Sequence, residues 1–345
     1  MPLSDLETQR LAALTMTRWP RGRDYGSPIA HTCNFPHKVL NIDLTGSCYL
    51  CQCESWLPFS VGNILDFDRL EDVWASPVAR ELQANIDTQE FTYCAVKHCG
   101  ILDRNIESAM FDVSINIDES CNLACPSCRP HAINHTQGPV FEERQRYINH
   151  MIRLIDQFDQ PLKLTMSGNG DPLASLIMRP LVLNWQPKAN QRIKLFTNGL
   201  LMKKLLPDST IFKSIKEYQI SVDAGSAQIY EQVRRPGKFS VLRENLDWLA
   251  ANKDPEVHVN LPFCLQAANA MDLVNFANMC QHYGFRGHVV KLDNWGTWGN
   301  NFNQQDVIDN TDHPLHAAAL EQLKLVKDHP NLSFNSYLKN LVSVA

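Results

Sequence analysis

The chain has 345 residues, a net charge of −5 from 32 lysines and arginines against 37 aspartates and glutamates, and 44% hydrophobic residues. That length builds one large domain plus a small one, and no apolar run approaches the ~20 residues of a bilayer span, so a membrane protein is not expected. The near balance of charge gives no bulk electrostatic footprint for nucleic acid, while a local basic groove stays possible. Met1 to Arg10 lack a basic start followed by an apolar core, so no signal peptide is expected. Eleven cysteines in an unexported chain point to metal ligands rather than a disulfide scaffold, and to a cytoplasmic protein.

Residues 1–30 are silent. Six cysteines then precede residue 100: Cys33, Cys48, Cys51, Cys53, Cys94 and Cys99. Between them Val39 to Leu44 reads as a strand and Gly46 as a turn. Cys51 leads into Trp56-Leu57-Pro58 and then Gly62-Asn63-Ile64. Leu70 to Asn85 is helix-like, with Leu70, Val73, Trp74 and Leu82 among its apolar residues. Pro77 sits inside it and predicts a break, because its ring blocks the helical ladder. The segment closes on Phe91-Thr92-Tyr93-Cys94 and Cys99. A metal is expected here, and zinc on four cysteines is the alternative to an iron–sulfur cluster.

Met110 to Asp118 alternates: Val113, Ile115 and Ile117 are apolar, while Asp112, Ser114, Asn116 and Asp118 are polar. That is a period-2 strand with one polar face. Cys121, Cys125 and Cys128 follow at C-x3-C-x2-C spacing, and a helix is expected from about Phe141 to Phe158. Three thiolates hold three irons of a four-iron cluster and leave the fourth open for chemistry. A loop at the C-terminal end of a parallel strand is where βα architectures place their sites. His131 and His135 offer a zinc-finger reading at i, i+4 spacing. Only Arg129 and Pro130 separate Cys128 from His131, however, and that finger needs about a dozen residues there.

Downstream the chain alternates strands and helices. Strands are expected at Leu162–Ser167, Ile193–Thr197, Tyr218–Asp223, Val257–Gln266 and His288–Asp293, with helices at Phe239–Ala251 and Ala270–Tyr283 among those between them. With the first strand this makes a set of six, hence a parallel sheet with right-handed crossovers. The predicted fold class is α/β: a partial (β/α)6 TIM-like barrel, open on one side, with a small N-terminal cysteine-rich hairpin-plus-helix domain to close it. Gln304 to Asp328 looks largely helical. The expected organisation is an extension over 1–30, the cysteine-rich domain over 31–105, the core over 108–300 and a helical segment over 301–345.

The Cys121/Cys125/Cys128 motif resembles the signature of the radical S-adenosylmethionine (SAM) superfamily. The N-terminal cysteines resemble the SPASM/Twitch auxiliary-cluster domain of the same enzymes, which normally follows the core and here precedes it. Carried over by position, this resemblance implies Cys33, Cys51, Cys94 and Cys99 as ligands of one auxiliary [4Fe-4S] cluster. Cys51 is preferred to Cys48 by its distance from Gly46 and Trp56, and Cys53 is left unassigned. Ser167-Gly168-Asn169-Gly170-Asp171-Pro172 looks like the family's segment that holds the SAM amino group, with Asp171 where Glu is usual. An ordinary turn is the plain reading of it. The resemblance also implies SAM contacts from Asn198, in Thr197-Asn198-Gly199, and from Ser221 and Asp223, which share a strand face with Gln219. Arg234 and its neighbour Arg235 are candidates for the SAM carboxylate, which favours a guanidinium fork. A turn cap, a hydrated interior and surface charge are the ordinary readings of these groups. Ser127 stands where an aromatic residue near the adenine is usual, so adenine packing is expected from around Val289 and Leu292.

The resemblance implies a reaction. A reduced cluster passes one electron to the SAM sulfonium, giving methionine and a 5′-deoxyadenosyl radical that takes hydrogen from the substrate. A low-potential donor, flavodoxin or ferredoxin, is implied. The auxiliary cluster either accepts an electron, making the reaction an oxidation, or only shapes the site of an isomerisation. Cys264, in step with Gln266 on the fifth strand, is the candidate to return a hydrogen atom, with a buried structural thiol as its ordinary reading. The stretch before Cys33 leaves no room for a peptide-recognition domain, so a small molecule, sugar, amino acid or nucleotide is the expected substrate. A modified nucleobase in phage DNA, a ribosomal peptide and a non-catalytic zinc-binding role are the alternatives.

Overall fold

The computed structural model describes residues 32–51, 57, 59–94, 99, 109–294 and 296–344. The expected N-terminal extension, Cys53 and Trp56 lie outside the described residues. The chain forms two compact units. Of the described residues, the first holds those up to Glu119, His135–Asn169 and Asn184–Ile193; the second holds Ser120–Asn134, Gly170–Leu183 and those from Lys194 onward.

In the first unit β1 (Val39–Ile42), β2 (Ser47–Tyr49) and β3 (Ser60–Asn63) form an antiparallel meander. Gly46 takes φ 76° at the first turn, where an added Cβ would meet the Tyr147 ring at 2.8 Å. The expected helix is two helices, α1 (Leu70–Ala75) and α2 (Pro77–Asp87). Pro77 occupies the first turn of α2, where a missing N–H costs nothing, and Ser76 caps it by accepting from the Ala79 amide. Trp74 anchors α1 to the sheet by donating Nε1–H to the Val39 carbonyl at 3.2 Å.

Next come β4 (Phe111–Ile115), α3 (Pro139–Gln157) and β5 (Leu162–Met166). β4 and β5 pair in parallel, and the strand order of this unit is β5-β4-β1-β2-β3. The cysteine-rich segment is therefore joined to the sheet: β1 pairs in parallel with β4, Val39 opposite Asp112 through Ile42 opposite Ile115. β4 stops short of the expected Asp118. Past it, polar side chains leave the ladder for other partners. Asn116 donates to the Asn41 side chain, and buried Asp118 takes Arg144 at 3.2 Å.

β6 (Gln191–Thr197) leads into the second unit, which continues with β7 (Ile215–Ile220), α4 (Ala227–Val233), α5 (Phe239–Asn252), β8 (His258–Leu265), α6 (Leu273–Tyr283), β9 (Arg286–Lys291), α7 (His316–Val326), β10 (Leu332–Phe334) and α8 (Ser336–Val344). Its strand order is β10-β9-β8-β7-β6, with β7–β8, β8–β9 and β9–β10 all parallel. The fold is α/β, with strand–helix alternation and parallel pairing as expected. β10 is a strand that the periodicity did not announce.

β8 shows the local rule. Val259, Leu261, Phe263 and Leu265 are buried, while Asn260, Pro262 and Cys264 alternate onto a half-buried face. Phe263 packs on Phe276 of α6 with ring centroids 4.8 Å apart. α6 ends on Gly284 at φ 66°, the left-handed cap that glycine adopts without a Cβ clash. β7 ends at Ile220, three residues before the expected Asp223. Pro262 has no N–H for the ladder. The Val222 and Asp223 amides both reach its carbonyl, at 3.4 and 3.3 Å, and Asp223 turns to φ 57°. Ser221 and Asp223 thus stand on the turn beyond β7, not on a strand face with Gln219.

Candidate active site

The Cys121–Cys128 loop belongs to the second unit. Its backbone is held from three sides: Cys121 N–H donates to Ile133 O, Ala124 N–H to Arg235 O, and Cys128 N–H to Cys125 O, at 2.7 to 2.9 Å. Cys125 is buried, Cys121 half-buried and Cys128 exposed, so the loop presents sulfur from the interior to the surface. Burial pushes the Cys121 thiol up to about 11, with the Asp171 carboxylate adding to it. Burial also raises Cys125, against the opposing pull of Arg234.

Arg129 sets a cation beside Cys128. Burial works against the Arg129 charge, but the hydrogen bond to Cys128 and the fields of Cys128, Cys121 and Cys125 outweigh it. Arg129 Nε donates to Cys128 Sγ at 3.4 Å. Arg129 was missed in the sequence, although it directly follows Cys128.

Asp171 is fully buried and its acceptors are taken. Oδ2 receives the Asn198 amide at 2.7 Å and the Thr197 hydroxyl at 2.9 Å, and Oδ1 receives the Leu173 amide at 2.9 Å. Its own N–H donates to Ser120 O at 2.8 Å, tying the cysteine loop to this turn. Burial raises its pKa, opposed by these bonds, the Asn198 amide foremost. Asn198 Nδ2 donates to Asn122 Oδ1 at 2.8 Å and approaches Cys121 Sγ at 3.8 Å. Gly170 leads directly into Asp171. Gly168 and Asn169 end the neighbouring stretch of the first unit, and Gly168 takes φ 153°, open to glycine alone.

The second cluster of candidates surrounds Asp223. Arg234 Nη2 lies 2.6 Å from its Oδ2, and the Cys264 amide donates to Oδ1 at 2.7 Å. Arg234 Nη1 donates to Cys125 Sγ at 3.7 Å, while its buried Nε has no partner among the described residues. Asn269, absent from the sequence reading, staples this corner by donating to both the Asp223 and Cys264 carbonyls at 2.9 Å. Nothing local marks it: its partners lie 46 and five residues away. Ser221 is half-buried, with its amide on Thr197 O at 2.9 Å. The Cys264 thiol reaches Lys291 O at 3.9 Å, and burial raises its pKa. Val290 pairs across from Cys264, whereas Val289 lies on the opposite, buried face and Leu292 is also buried, so Val289 does not face the site.

In the first unit Cys94 feels three other cysteines. Burial raises the Cys94 thiol, and the fields of Cys33, Cys51 and Cys99 add to it. Cys33 and Cys94 both pack on the buried pair Ile86 and Phe91. Cys48 is buried in β2 and its thiol donates to the Gly46 carbonyl at 3.8 Å. Among the described residues no three His, Cys, Asp or Glu side chains close on a point fit for a single metal ion. Of the two histidines in the zinc-finger reading, His131 is exposed and His135 sits 3.4 Å from Glu119.

The donor set fits a cluster with SAM on its open iron: three thiols on one loop, plus an orphaned, buried guanidinium Nε beside Cys125 suited to a carboxylate.

Residues 33–100 match the SPASM family, an iron–sulfur cluster-binding domain. Among curated proteins there is no match. Solved structures similar to the chain include Streptococcus suis SuiB bound to precursor peptide SuiA, 14% identical, with a TM-score of 0.46 over 78% of this chain and 55% of that one. They also include anSMEcpe with bound AdoMet and a peptide, 18% identical, with a TM-score of 0.38 over 52% and 50%. A third is TYW1 with a lysine-pyruvate adduct, 14% identical, with a TM-score of 0.37 over 61% and 70%. The chain spans about half the length of the first of these structures. No helix among the described residues is long and apolar enough to cross a membrane.

Proposed function

We propose that this chain, which carries a SPASM iron–sulfur cluster-binding domain over residues 33–100, is a radical SAM enzyme acting on a small-molecule, amino-acid or nucleotide-type substrate. The observation that carries this reading is one loop bearing Cys121, Cys125 and Cys128, with Arg129 donating to Cys128 Sγ and the Asp171–Asn198 turn tied to the loop through Ser120 and Asn122. When bound, a three-cysteine [4Fe-4S] cluster with SAM supplies one-electron cleavage of the sulfonium and hydrogen abstraction from an unactivated carbon.

The chain's own residues do the rest. Cys121, Cys125 and Cys128 hold the cluster, and Cys33, Cys51, Cys94 and Cys99 hold the auxiliary one. Gly168, Asn169 and Gly170 let a ligand approach the backbone. Asp171 is a strut: with its oxygens filled by Asn198, Thr197 and Leu173, it orients Asn198. Asn198, Ser221 and the Asp223 corner line the SAM side. Arg234 braces Cys125 and keeps Nε for the SAM carboxylate. Cys264 stays a thiol because burial raises its pKa, the form that can return a hydrogen atom. A flavodoxin or ferredoxin supplies the electron. The net charge of −5 gives no general attraction to DNA, which favours a small substrate.

Anaerobic purification tests this. A brown protein that makes 5′-deoxyadenosine with dithionite supports it; a colourless protein with bound zinc defeats it. Deuterium transfer from candidate molecules into 5′-deoxyadenosine then identifies the substrate.

A further inference from the structure

Four parallel strands of the second unit carry two aligned rows of residues, all polar but one, that the proposed chemistry does not use. Strand register places Gln219 of β7, Asn260 of β8 and Arg286 of β9 side by side. Two residues further along, Pro262, His288 and Ser333 form the next row on the same face. With Pro330, Asn331 and Leu332 they line a cavity of about 490 Å³, within the range that holds small ligands.

The hydrogen bonds of this cavity fix what it offers. The Ser333 hydroxyl has one proton, and it goes to the Gly287 carbonyl at 3.1 Å. With that proton on the carbonyl, Ser333 Oγ is the acceptor for His288 Nδ1–H, 2.9 Å away, and in that tautomer Nε2 carries the lone pair. Burial lowers the His288 pKa, which keeps the ring neutral near pH 7. The Arg286 guanidinium has no ion-pair or hydrogen-bond partner among the described residues, and neither has the Gln219 amide. Glu217, the carboxylate nearest in sequence to Gln219, is engaged by Lys194 at 2.7 Å and Asn260 at 3.2 Å. An unpaired fork, a neutral nitrogen acceptor and an amide in one cavity match a small oxyanion that also carries a hydroxyl.

We propose that this cavity binds a small hydroxylated anion, with Arg286 taking the charge and His288 Nε2 accepting the hydroxyl proton. The cavity's upper row lies two residues, about 7 Å of strand, below Cys264 on the same face.

Calorimetry of the full chain at constant ionic strength tests it, using phosphate, glycolate and acetate as probes. Saturable binding of phosphate assigns a phosphate ligand, and binding of glycolate a hydroxy acid; either supports the site. Arg286→Gln is expected to weaken binding about tenfold or more, the scale of a lost charge-assisted bond. Arg286 is exposed and unpaired, so this variant keeps the fold. His288→Phe should erase the advantage of glycolate over acetate. Failure of phosphate and glycolate to saturate, or unchanged binding in Arg286→Gln, overturns the proposal. These readouts involve neither iron nor SAM, so they fail separately from the enzyme reading.

Discussion

Arg234 and Asp223 form a buried ion pair at 2.6 Å, and the same guanidinium reaches the Cys125 sulfur at 3.7 Å. Charge and donor capacity are thus shared between the wall of the site and one sulfur of the loop. Removing one member of such a pair leaves the other charged and uncompensated. Asp223→Asn is therefore expected to lose about 3 kcal/mol or more in urea unfolding. The double variant Asp223→Asn/Arg234→Gln should lose less than the sum of the two single changes. Simple additivity would show that the pair is not coupled.

Asp171 gives a sharper case, because an amide cannot replace it in either orientation. Oδ1 faces the Leu173 N–H and Oδ2 the Asn198 N–H, so an Asn side chain always sets its NH2 against a donor. Asp171→Asn should cost about 2–3 kcal/mol, the penalty of unsatisfied buried donors, and speed hydrogen exchange at the Asn198 amide. Exchange at the wild-type rate would remove the strut role.

Changing Cys121, Cys125 and Cys128 together to Ala should remove about four of about eight irons and abolish 5′-deoxyadenosine formation. The irons that remain should depend on Cys33, Cys51, Cys94 and Cys99. Loss of all iron in the triple variant would mean that the two sets are not separate.

Cys264→Ala should keep the iron content and alter product stereochemistry or turnover. If product and rate match the wild type, the thiol is only packing.

His288 should titrate below the ordinary 6.5 in an NMR pH series, because half-burial disfavours its cation. The sign follows from linkage. As pH falls, the unfolded chain takes up this proton first. The neutral ring's contribution to stability is therefore complete above pH 6.5 and is lost as pH falls through the lower, folded value. A normal or raised His288 pKa would show that half-burial does not disfavour its cation.

What the chain revealed unaided was local in sequence. The C-x3-C-x2-C spacing needs one short loop, the alternation at β4 and β8 needs only the pleat, and Pro77 breaks a helix wherever it stands inside one. These signals act over a few residues, so they survive without knowledge of the fold. The partners did not. Asp171 receives Asn198 from 27 residues away, and Arg234 meets Cys125 across 109. The early end of β7 came from Pro262 on another strand, whose missing N–H leaves only a carbonyl to pair with. The cavity drew Gln219, Asn260, Arg286 and His288 into two rows through strand register alone. Composition and spacing name the chemistry that side chains are capable of. Register and burial, set by packing between distant segments, decide which of those side chains meet and which are already spent on each other.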